Sequence, residues 1–212
     1  MIQVFLADDH PVVREGIKNI LSKSKDLILA GEADNGIDVL KKARQEKWDV
    51  LVLDLSLPGR SGLNVLKEIR TFSPKLPILI LSVHSEDQYA LRVLKAGANG
   101  YLTKECVPEK LVYAIRKIHG GGRYVSEAMG IHFSFLLEGN KPPREPHERL
   151  SDREFEVFMM IAEGKSATHI AESLHVSPKT VSTHRANILD KMKLSSTVEI
   201  VLYAVKTGLI EQ

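Results

Sequence analysis

From residue 2 to about residue 120, the chain alternates short hydrophobic runs with longer amphipathic stretches. The runs lie at residues 4–7, 27–30, 50–53, 78–81 and 100–102. A run that is apolar at every position indicates a strand buried on both faces, and such strands form parallel sheets covered by helices. Between the runs, apolar residues are spaced by three and four, which predicts helices. The pattern therefore predicts an α/β, doubly wound domain with a five-stranded parallel sheet.

Acidic residues follow two of these runs. Asp8 and Asp9 end the first run, and Asp54 ends the third. Three carboxylates gathered at one edge of a sheet repel one another unless a cation lies among them, and oxygen ligands favour a hard ion such as Mg²⁺. The sequence therefore predicts a metal-assisted phosphoryl site. This placement requires strands 1 and 3 to be neighbours, as they are in the flavodoxin-like order 2-1-3-4-5.

The pattern changes after Gly122. One more amphipathic helix is predicted at about 126–137, and the stretch 139–149 contains three prolines among charged residues, which is typical of an extended linker. From residue 150 onward the pattern is entirely helical. We expect a first domain at 1–122, a linker with that helix at 123–147, and a small all-α domain at 148–212.

Composition and charge indicate which compartment and which partners are expected for this protein. The 212 residues include 29 Lys and Arg against 27 Asp and Glu, so the net charge of +2 does not by itself indicate nucleic acid binding. Between residues 179 and 193, however, four basic residues accompany a single acidic one, Asp190. The only cysteine, Cys106, excludes an internal disulfide, and no apolar stretch is long enough to span a bilayer. We expect a cytoplasmic protein without a membrane partner.

Polar residues also follow the fourth and fifth runs, where Ser82 and Lys104 stand. Together with Asp8, Asp9 and Asp54, these positions resemble the receiver domain of bacterial two-component response regulators over about residues 1–120. The resemblance implies that Asp54 is the phosphoacceptor, a nucleophile that takes a phosphoryl group from the histidine of a sensor kinase.

The resemblance also implies roles for the residues around Asp54. The implied ligands of Mg²⁺, or of Mn²⁺, are the side chains of Asp8, Asp9 and Asp54 and the main-chain carbonyl of Ser56. Lys104 is implied to supply a second positive charge to the transferring group. Ser82 is implied to donate its hydroxyl to the new phosphoryl oxygen. Tyr101 resembles the aromatic switch residue that turns inward when the loop after strand 4 moves.

The C-terminal helices carry a second resemblance. Ser151, followed three residues later by Glu154, predicts a capping box, and Ser177 with Pro178 predicts the start of a basic helix. A short helix and a tight turn precede this basic helix, which predicts a helix-turn-helix. The segments LSDREFEV, IAESL and SPKTVSTH resemble the four-helix DNA-binding domain of the NarL/FixJ (LuxR-type) regulators, over about residues 148–210.

The basic helix supplies the candidate DNA contacts. Val181, Ile188 and Met192 fall on one face and predict its buried side. The candidates for base contact, by their match to the family, are Ser182, Thr183 and Ala186. The candidates for phosphate contact, which give affinity and register but no sequence information, are Lys179, Thr180, Arg185, Lys191 and Lys193.

The last predicted helix carries an apolar stripe that is the candidate dimer contact. Its residues are Val198, Val201, Leu202 and Val205. The resemblance implies a homodimer when the protein is phosphorylated, with two recognition helices on adjacent half-sites of double-stranded promoter DNA. It also implies a cognate sensor histidine kinase and RNA polymerase as partners. The predicted function is a response regulator whose DNA binding and transcriptional output are switched by phosphorylation.

Two other functions are alternatives to this prediction. Phosphatases of the haloacid dehalogenase type also use a nucleophilic Asp at a strand end, but they carry a second Asp two positions later, where this chain has Ser56. We therefore expect no enzymatic activity beyond assistance in the protein's own phosphoryl transfer and dephosphorylation. The other alternative is a receiver that acts by protein contact alone, with the helical domain recruiting RNA polymerase or another partner.

Overall fold

The structure, a computed structural model, describes residues 1–84, 86–126, 129–130, 145–174 and 176–210 of the chain. These residues divide between two compact units, which lie within Met1–His132 and Phe133–Gln212. Each unit contains its own set of buried hydrophobic residues.

The first unit is built on a parallel sheet. Its strands are β1 (Ile2–Ala7), β2 (Leu27–Ala33), β3 (Val50–Asp54), β4 (Ile78–Ser82) and β5 (Gly100–Thr103). Their spatial order is β2-β1-β3-β4-β5, and every neighbouring pair is parallel. The predicted five-stranded sheet and its order 2-1-3-4-5 are confirmed.

A helix follows each strand. The helices are α1 (Pro11–Ser22), α2 (Gly36–Gln45), α3 (Gly62–Phe72), α4 (Glu86–Lys95) and α5 (Val107–His119). Local chemistry fixes several of their starts. Pro11 occupies the first turn of α1, where its missing N–H costs no intrahelical hydrogen bond. The Asn35 side chain caps α2 by accepting a hydrogen bond from the Asp38 N–H at 2.9 Å.

Both faces of the sheet are buried. On one face, α1 and α5 contribute Ile17 and Leu111 to a core that includes Val52 of β3. The alternate strand residues, such as Phe5 and Leu53, are also fully buried and point to the opposite face. Burial on both faces explains why the hydrophobic runs show no polar alternation.

A short segment after α5 returns to the sheet beside β5. Tyr124 forms a parallel bridge with Gly100, and its carbonyl accepts a hydrogen bond from the Tyr101 N–H at 2.9 Å. Gly100 permits this close approach, because a Cβ atom there would lie 2.8 Å from the Tyr124 oxygen. The Ser126 N–H then donates to the Glu86 carboxylate of α4 at 2.8 Å. This segment, which the sequence assigns to the start of the linker, therefore lies against the first unit.

Of the rest of the predicted linker, the structure describes residues 129–130 and 145–147. The helix predicted at 126–137 lies mostly outside the described residues. A 3₁₀ helix, Pro146–Arg149, precedes the second unit's first α-helix. Within it, the Nδ1 atom of His147 lies 2.9 Å from the Tyr203 hydroxyl. The end of the stretch predicted as linker therefore packs against the second unit.

The second unit contains four α-helices among its described residues. They are α6 (Asp152–Ala162), α7 (Ala167–Ser173), α8 (Pro178–Met192) and α9 (Thr197–Lys206). Each begins at a serine whose side chain accepts a backbone N–H, namely Ser151, Ser166, Ser177 and Ser196. The predicted capping box at the start of α6 is present. Nowhere in the described part of the chain is there a helix with both the length and the apolar character needed to cross a bilayer.

Candidate functional site

The acidic residues meet at the carboxyl edge of the sheet. Ala7 pairs with Leu53, so the residues that follow them, Asp8 and Asp54, leave β1 and β3 side by side. Asp8 is fully buried and Asp54 is 1% exposed. One ligand atom from each of Asp8, Asp9, His10 and Asp54 can be chosen so that all four lie within 4.8 Å of one another. The predicted convergence of the three carboxylates is therefore present.

Lys104 bridges the two buried carboxylates. Its Nζ atom lies 2.7 Å from Oδ2 of Asp54 and 2.8 Å from Oδ2 of Asp8. The residue opens a 3₁₀ helix directly after β5, and its side chain reaches the carboxylates that follow β1 and end β3. One ammonium cannot neutralise three neighbouring carboxylates, so the site retains net negative charge.

The pKa values of Asp54 and Lys104 are shifted by burial and by the excess of negative charge around them. Burial raises the pKa of Asp54, and the neighbouring Asp8 charge acts in the same direction, against the opposing effect of Lys104. Burial lowers the pKa of Lys104, but its hydrogen bonds and ion pairs with Asp54 and Asp8 outweigh this and raise the pKa overall. Lys104 therefore stays charged, and the pocket favours any further cation.

The carboxylate oxygens fit a divalent cation. Oδ2 of Asp8 and Oδ1 of Asp9 are buried and have no aligned hydrogen bond, although Lys104 and His10 lie within ion-pair distance. Such oxygens keep lone pairs available to a cation, and Mg²⁺ prefers oxygen ligands. The Ser56 N–H donates to Oδ1 of Asp54 at 3.1 Å, which places that residue beside the pocket. Its carbonyl as a ligand stays a prediction.

The two switch candidates lie inside the fold. Ser82 is fully buried and its Oγ atom accepts a hydrogen bond from the His84 N–H at 3.1 Å. Tyr101 is 2% exposed, and its hydroxyl donates to the His84 carbonyl at 2.9 Å. Burial raises the pKa of Tyr101, so the phenol keeps its proton and remains a donor. The aromatic side chain is thus turned inward and holds the loop after β4.

Two residues near the carboxylates received no role from the sequence. His10 lies with Nδ1 2.7 Å from Oδ1 of Asp9 and 3.2 Å from Oδ1 of Asp8. Arg14 donates through Nη1 to the main-chain carbonyl of Asp8 at 2.8 Å. The sequence does contain a signal for Arg14. A cation near the N-terminus of a helix is unfavourable because of the helix dipole, so its presence there indicates neighbouring carboxylates.

In the second unit, α8 has the predicted buried and outward faces. Val181, Ile188 and Met192 are buried. The outward side carries the candidate DNA contacts, and all of them except the half-buried Thr180 are exposed: Lys179, Ser182, Thr183, Arg185, Ala186, Lys191 and Lys193. The capped N-terminus and the exposed polar face give α8 the form of a recognition helix.

Several of these side chains already have intramolecular partners. The hydroxyls of Ser182 and Thr183 donate to carbonyls one turn earlier in α8, at 3.0 and 3.1 Å. Lys191 contacts both carboxylate oxygens of the buried Glu154, at 2.6 and 2.8 Å. Lys191 thus joins α8 to the capping box of α6, in addition to any contact it makes with DNA. Lys193 follows α8 in a left-handed conformation with φ of 58°.

The predicted dimer stripe of α9 divides into two sides. Val198 and Leu202, one turn apart, are 66% and 62% exposed. Val201 and Val205 are half-buried. The buried side of the helix consists instead of residues such as Ile200, which is fully buried. The structure therefore leaves Val198 and Leu202 as the most exposed apolar surface of α9.

Comparison with known proteins agrees with both units. Residues 4–116 match the family described as response regulator receiver domain. Residues 148–204 match the family described as bacterial regulatory proteins, luxR family. The chain is 36% identical over 211 residues to response regulator GacA of Pseudomonas aeruginosa, covering 100% of this chain and 99% of that protein. It is 35% identical over 209 residues to response regulator UvrY of Escherichia coli, covering 99% and 96%.

Solved structures give the same result. RcsB of Salmonella typhimurium aligns with a TM-score of 0.72 at 27% identity and covers 97% of each chain. RcsB from Salmonella enterica serovar Typhimurium, bound to promoter rprA with the phosphomimetic BeF₃⁻, aligns with a TM-score of 0.68 at 25% identity, over 95% of this chain and 97% of that one. The protein therefore belongs to the NarL/FixJ (LuxR-type) family of two-component response regulators, with a receiver domain followed by a LuxR-type DNA-binding domain.

Proposed function

We propose that Asp54 accepts a phosphoryl group from a cognate sensor histidine kinase and that this modification switches DNA binding by α8. The observation that carries the proposal is the buried Asp54 carboxylate at the sheet edge, 2.7 Å from the Lys104 ammonium and grouped with two further carboxylates. A nucleophile placed between a fixed cation and a cation pocket suits phosphoryl transfer, in which positioning and charge stabilisation supply most of the catalysis.

The chemistry assigns a task to each group around Asp54. An oxygen of Asp54 bonds to phosphorus as the phosphorus–nitrogen bond of the donor histidine breaks, and the imidazole retains that electron pair. The carboxylates of Asp8, Asp9 and Asp54 and the Ser56 carbonyl would hold Mg²⁺, which would supply positive charge to the transferring group. Lys104, whose ammonium lies 2.7 Å from Asp54, supplies a second positive charge. Hydrolysis of the acyl phosphate in the same pocket limits the lifetime of the signal.

The output follows from the same local change. Ser82 directly follows Leu81, which pairs with Asp54 on the neighbouring strand, and its buried hydroxyl is the candidate donor to a phosphoryl oxygen. Ser82 accepts from the His84 N–H and can donate its hydroxyl to that oxygen at the same time, so its bond would link the phosphoryl group to the loop after β4, whose His84 carbonyl Tyr101 also binds. An added charge of about −1.5 to −2 is large enough to bias such a loop.

We also propose a separate role for each part of the chain. Residues 1–122 receive the signal, 123–147 connect the parts, and 148–212 bind double-stranded promoter DNA, as a homodimer when phosphorylated. RNA polymerase is the partner at the promoter, and the cytoplasm is the compartment in which these partners meet. The exposed polar face of α8 and the exposed apolar residues of α9 support this assignment.

The phosphoacceptor is tested with a small-molecule phosphodonor and Mg²⁺. We expect intact-protein mass spectrometry to show one added phosphoryl group on the wild type and none on Asp54→Asn. The matched control is Asp26→Asn, which removes a carboxylate about half exposed to solvent on the far edge of the sheet. Unchanged labelling of Asp54→Asn would contradict the assignment of the acceptor.

The DNA-binding output is tested by nuclease footprinting on genomic fragments, with and without the phosphodonor. We expect discrete protected sites that strengthen on phosphorylation in the wild type but not in Asp54→Asn. Affinity is expected to fall steeply with salt, because basic residues of α8 displace counterions from the duplex. Absence of any protected site, with RNA polymerase still captured, would favour a receiver that acts by protein contact alone.

A further inference from the structure

The side chain of Arg14 reaches from α1 back to the carboxyl edge of the sheet. Its Nη1 atom donates a hydrogen bond of 2.8 Å to the carbonyl oxygen of Asp8. Its Nε atom lies 3.3 Å from the Glu32 carboxylate of β2, with which it forms an ion pair. The Arg14 side chain is only 20% exposed. The guanidinium is therefore held by one partner directly after β1 and by another within β2.

The carbonyl that Arg14 binds belongs to the peptide group between Asp8 and Asp9. The orientation of this group sets the direction in which the Asp9 side chain leaves the backbone. Other contacts hold Asp8 itself, because its N–H donates to Ala33 at 3.1 Å and its side chain meets the His10 N–H at 2.8 Å and Lys104 at 2.8 Å. Among the residues that the structure describes, Arg14 is the one whose side chain binds the carbonyl of the peptide joining Asp8 to Asp9.

Arg14 also brings a positive charge near a pocket that suits a cation. If charge were its main effect, Arg14 would repel a metal ion, and its removal would tighten Mg²⁺ binding. The nearby Glu32 carboxylate offsets much of that charge. Residues that orient metal ligands through hydrogen bonds contribute strongly to affinity, so geometry and charge predict opposite signs for the same substitution.

We propose that Arg14 is a positioning residue for the phosphoryl site, which fixes the Asp8–Asp9 peptide so that both carboxylates bind one divalent cation. The inference rests on the proposed function of that site. It assigns to Arg14 no contact with the metal or the phosphoryl group. Its effect is expected in the affinity for Mg²⁺ as well as in phosphorylation.

The test measures Mg²⁺ binding to the full chain by isothermal titration calorimetry. Arg14→Met keeps the apolar stem and removes the donors and the charge. We expect it to weaken Mg²⁺ binding by about tenfold or more, which is the usual effect of removing a group that orients metal ligands. The control is Arg116→Met, which removes a two-point ion pair to Asp26 at the opposite edge of the sheet, at 2.7 and 2.8 Å. We expect the control to bind Mg²⁺ as the wild type does.

A second variant keeps the test decisive if Arg14→Met folds poorly, as judged by its thermal midpoint without Mg²⁺. Arg14→Lys retains the charge, but a single ammonium cannot reproduce the forked donors of a guanidinium. We expect a severalfold loss of Mg²⁺ affinity. Unchanged or tighter binding in either folded variant overturns the inference. Such a result leaves the proposed function intact if the wild type still accepts a phosphoryl group, whereas a wild type that neither binds Mg²⁺ nor is phosphorylated refutes both.

Discussion

Asp54 is an ionisable group placed where burial opposes its ionisation. Its pKa is raised, first by burial and further by the Asp8 charge, although Lys104 partly compensates. A carboxyl whose pKa is higher in the folded state than in the unfolded chain contributes stability that is present in acid. That stability is lost as the pH rises through the folded pKa. At neutral pH the metal-free receiver is therefore less stable than it would be without this charge.

We accordingly expect Asp54→Asn to raise the thermal stability of the metal-free protein at neutral pH. The expected gain is roughly 0.5–2 kcal/mol, the usual range for a single stabilising substitution. The gain should shrink as the pH is lowered toward the ordinary pKa of a carboxyl group, and Mg²⁺ should stabilise the wild type more than the variant. Calorimetric melting at several pH values measures both effects. A loss of stability in Asp54→Asn at neutral pH would show that the pair with Lys104 outweighs burial.

The backbone of Lys193 has an unfavourable conformation. It follows α8 with φ of 58°, a conformation that costs a residue with a side chain about 1–2 kcal/mol and costs glycine little. We expect Lys193→Gly to stabilise the second unit by about 1 kcal/mol. Lys193→Ala is the matched control, because it loses the same charge and keeps the strain. Urea unfolding followed by far-ultraviolet circular dichroism compares the two.

Measurements of DNA binding distinguish the effect of the Lys193 charge from the effect of its backbone conformation. If the ammonium contacts a phosphate, both variants should weaken binding equally and reduce the salt dependence by the same amount. Equal stability of the glycine and alanine variants would show that the left-handed conformation carries no cost here.

Sequence could predict the site residues that stand at strand ends. Asp8, Asp54 and Lys104 each follow a hydrophobic run, and a parallel sheet brings all such positions to one edge. Arg14 could not be predicted in the same way, because its bond to the Asp8 carbonyl depends on how α1 leaves β1. Nor could the pairing of Lys191 with Glu154 be predicted, because the two residues lie 37 positions apart on different helices.

Among the elements, the start of α6 shows how a local signal can be tied to the rest of a unit. Ser151 and Glu154 form the capping box that their spacing predicts, and Lys191 of α8 binds the same glutamate. Burial raises the pKa of Glu154, but hydrogen bonds from Lys191 and Ser151 outweigh this and lower the pKa overall. The carboxylate thus joins the end of one helix to the side of another.

We expect Glu154→Gln to destabilise the second unit at neutral pH by about 1 kcal/mol, a modest value because Lys191 is 41% exposed. The pKa of Glu154 is lower in the folded state. The stability it contributes is therefore present above the ordinary pKa of glutamate and is lost as the pH falls through the folded value. The difference between variant and wild type should vanish in acid. Urea unfolding across this range measures it, and the exposed Glu172→Gln in α7 should show no such trend.

The segment after α5 is the element whose position the sequence pattern does not predict. Periodicity predicts the strands because each run is locally apolar, but Tyr124 joins β5 as a single bridge with no run of its own. The glycine that admits it, Gly100, stands 24 positions earlier in the chain. A proline-rich, charged composition predicted the linker that follows, yet composition says nothing about where its first residues bind. Long-range pairing of short segments is therefore the part of the fold that pattern could not supply.

At the scale of the whole molecule, the proposed output depends on two copies of α8 reading adjacent half-sites. One copy presents only the polar face of a single helix, and its hydroxyls at Ser182 and Thr183 are bonded within that helix. Specificity from so few base contacts requires a second half-site, which doubles the contacts read. The exposed pair Val198 and Leu202 on α9 is the apolar surface of the second unit suited to holding that second copy.

Substituting both residues tests this arrangement. We expect Val198→Ser with Leu202→Ser to leave folding and binding to an isolated half-site unchanged, because neither side chain belongs to the core. Cooperative binding to two half-sites one helical turn apart should be lost, since the copies no longer bury apolar surface against each other. Mobility-shift titrations on one-site and two-site duplexes measure both quantities. Ile28→Ser, which changes an exposed apolar residue of β2, should retain cooperativity, and full cooperativity in the double variant would place the dimer contact elsewhere.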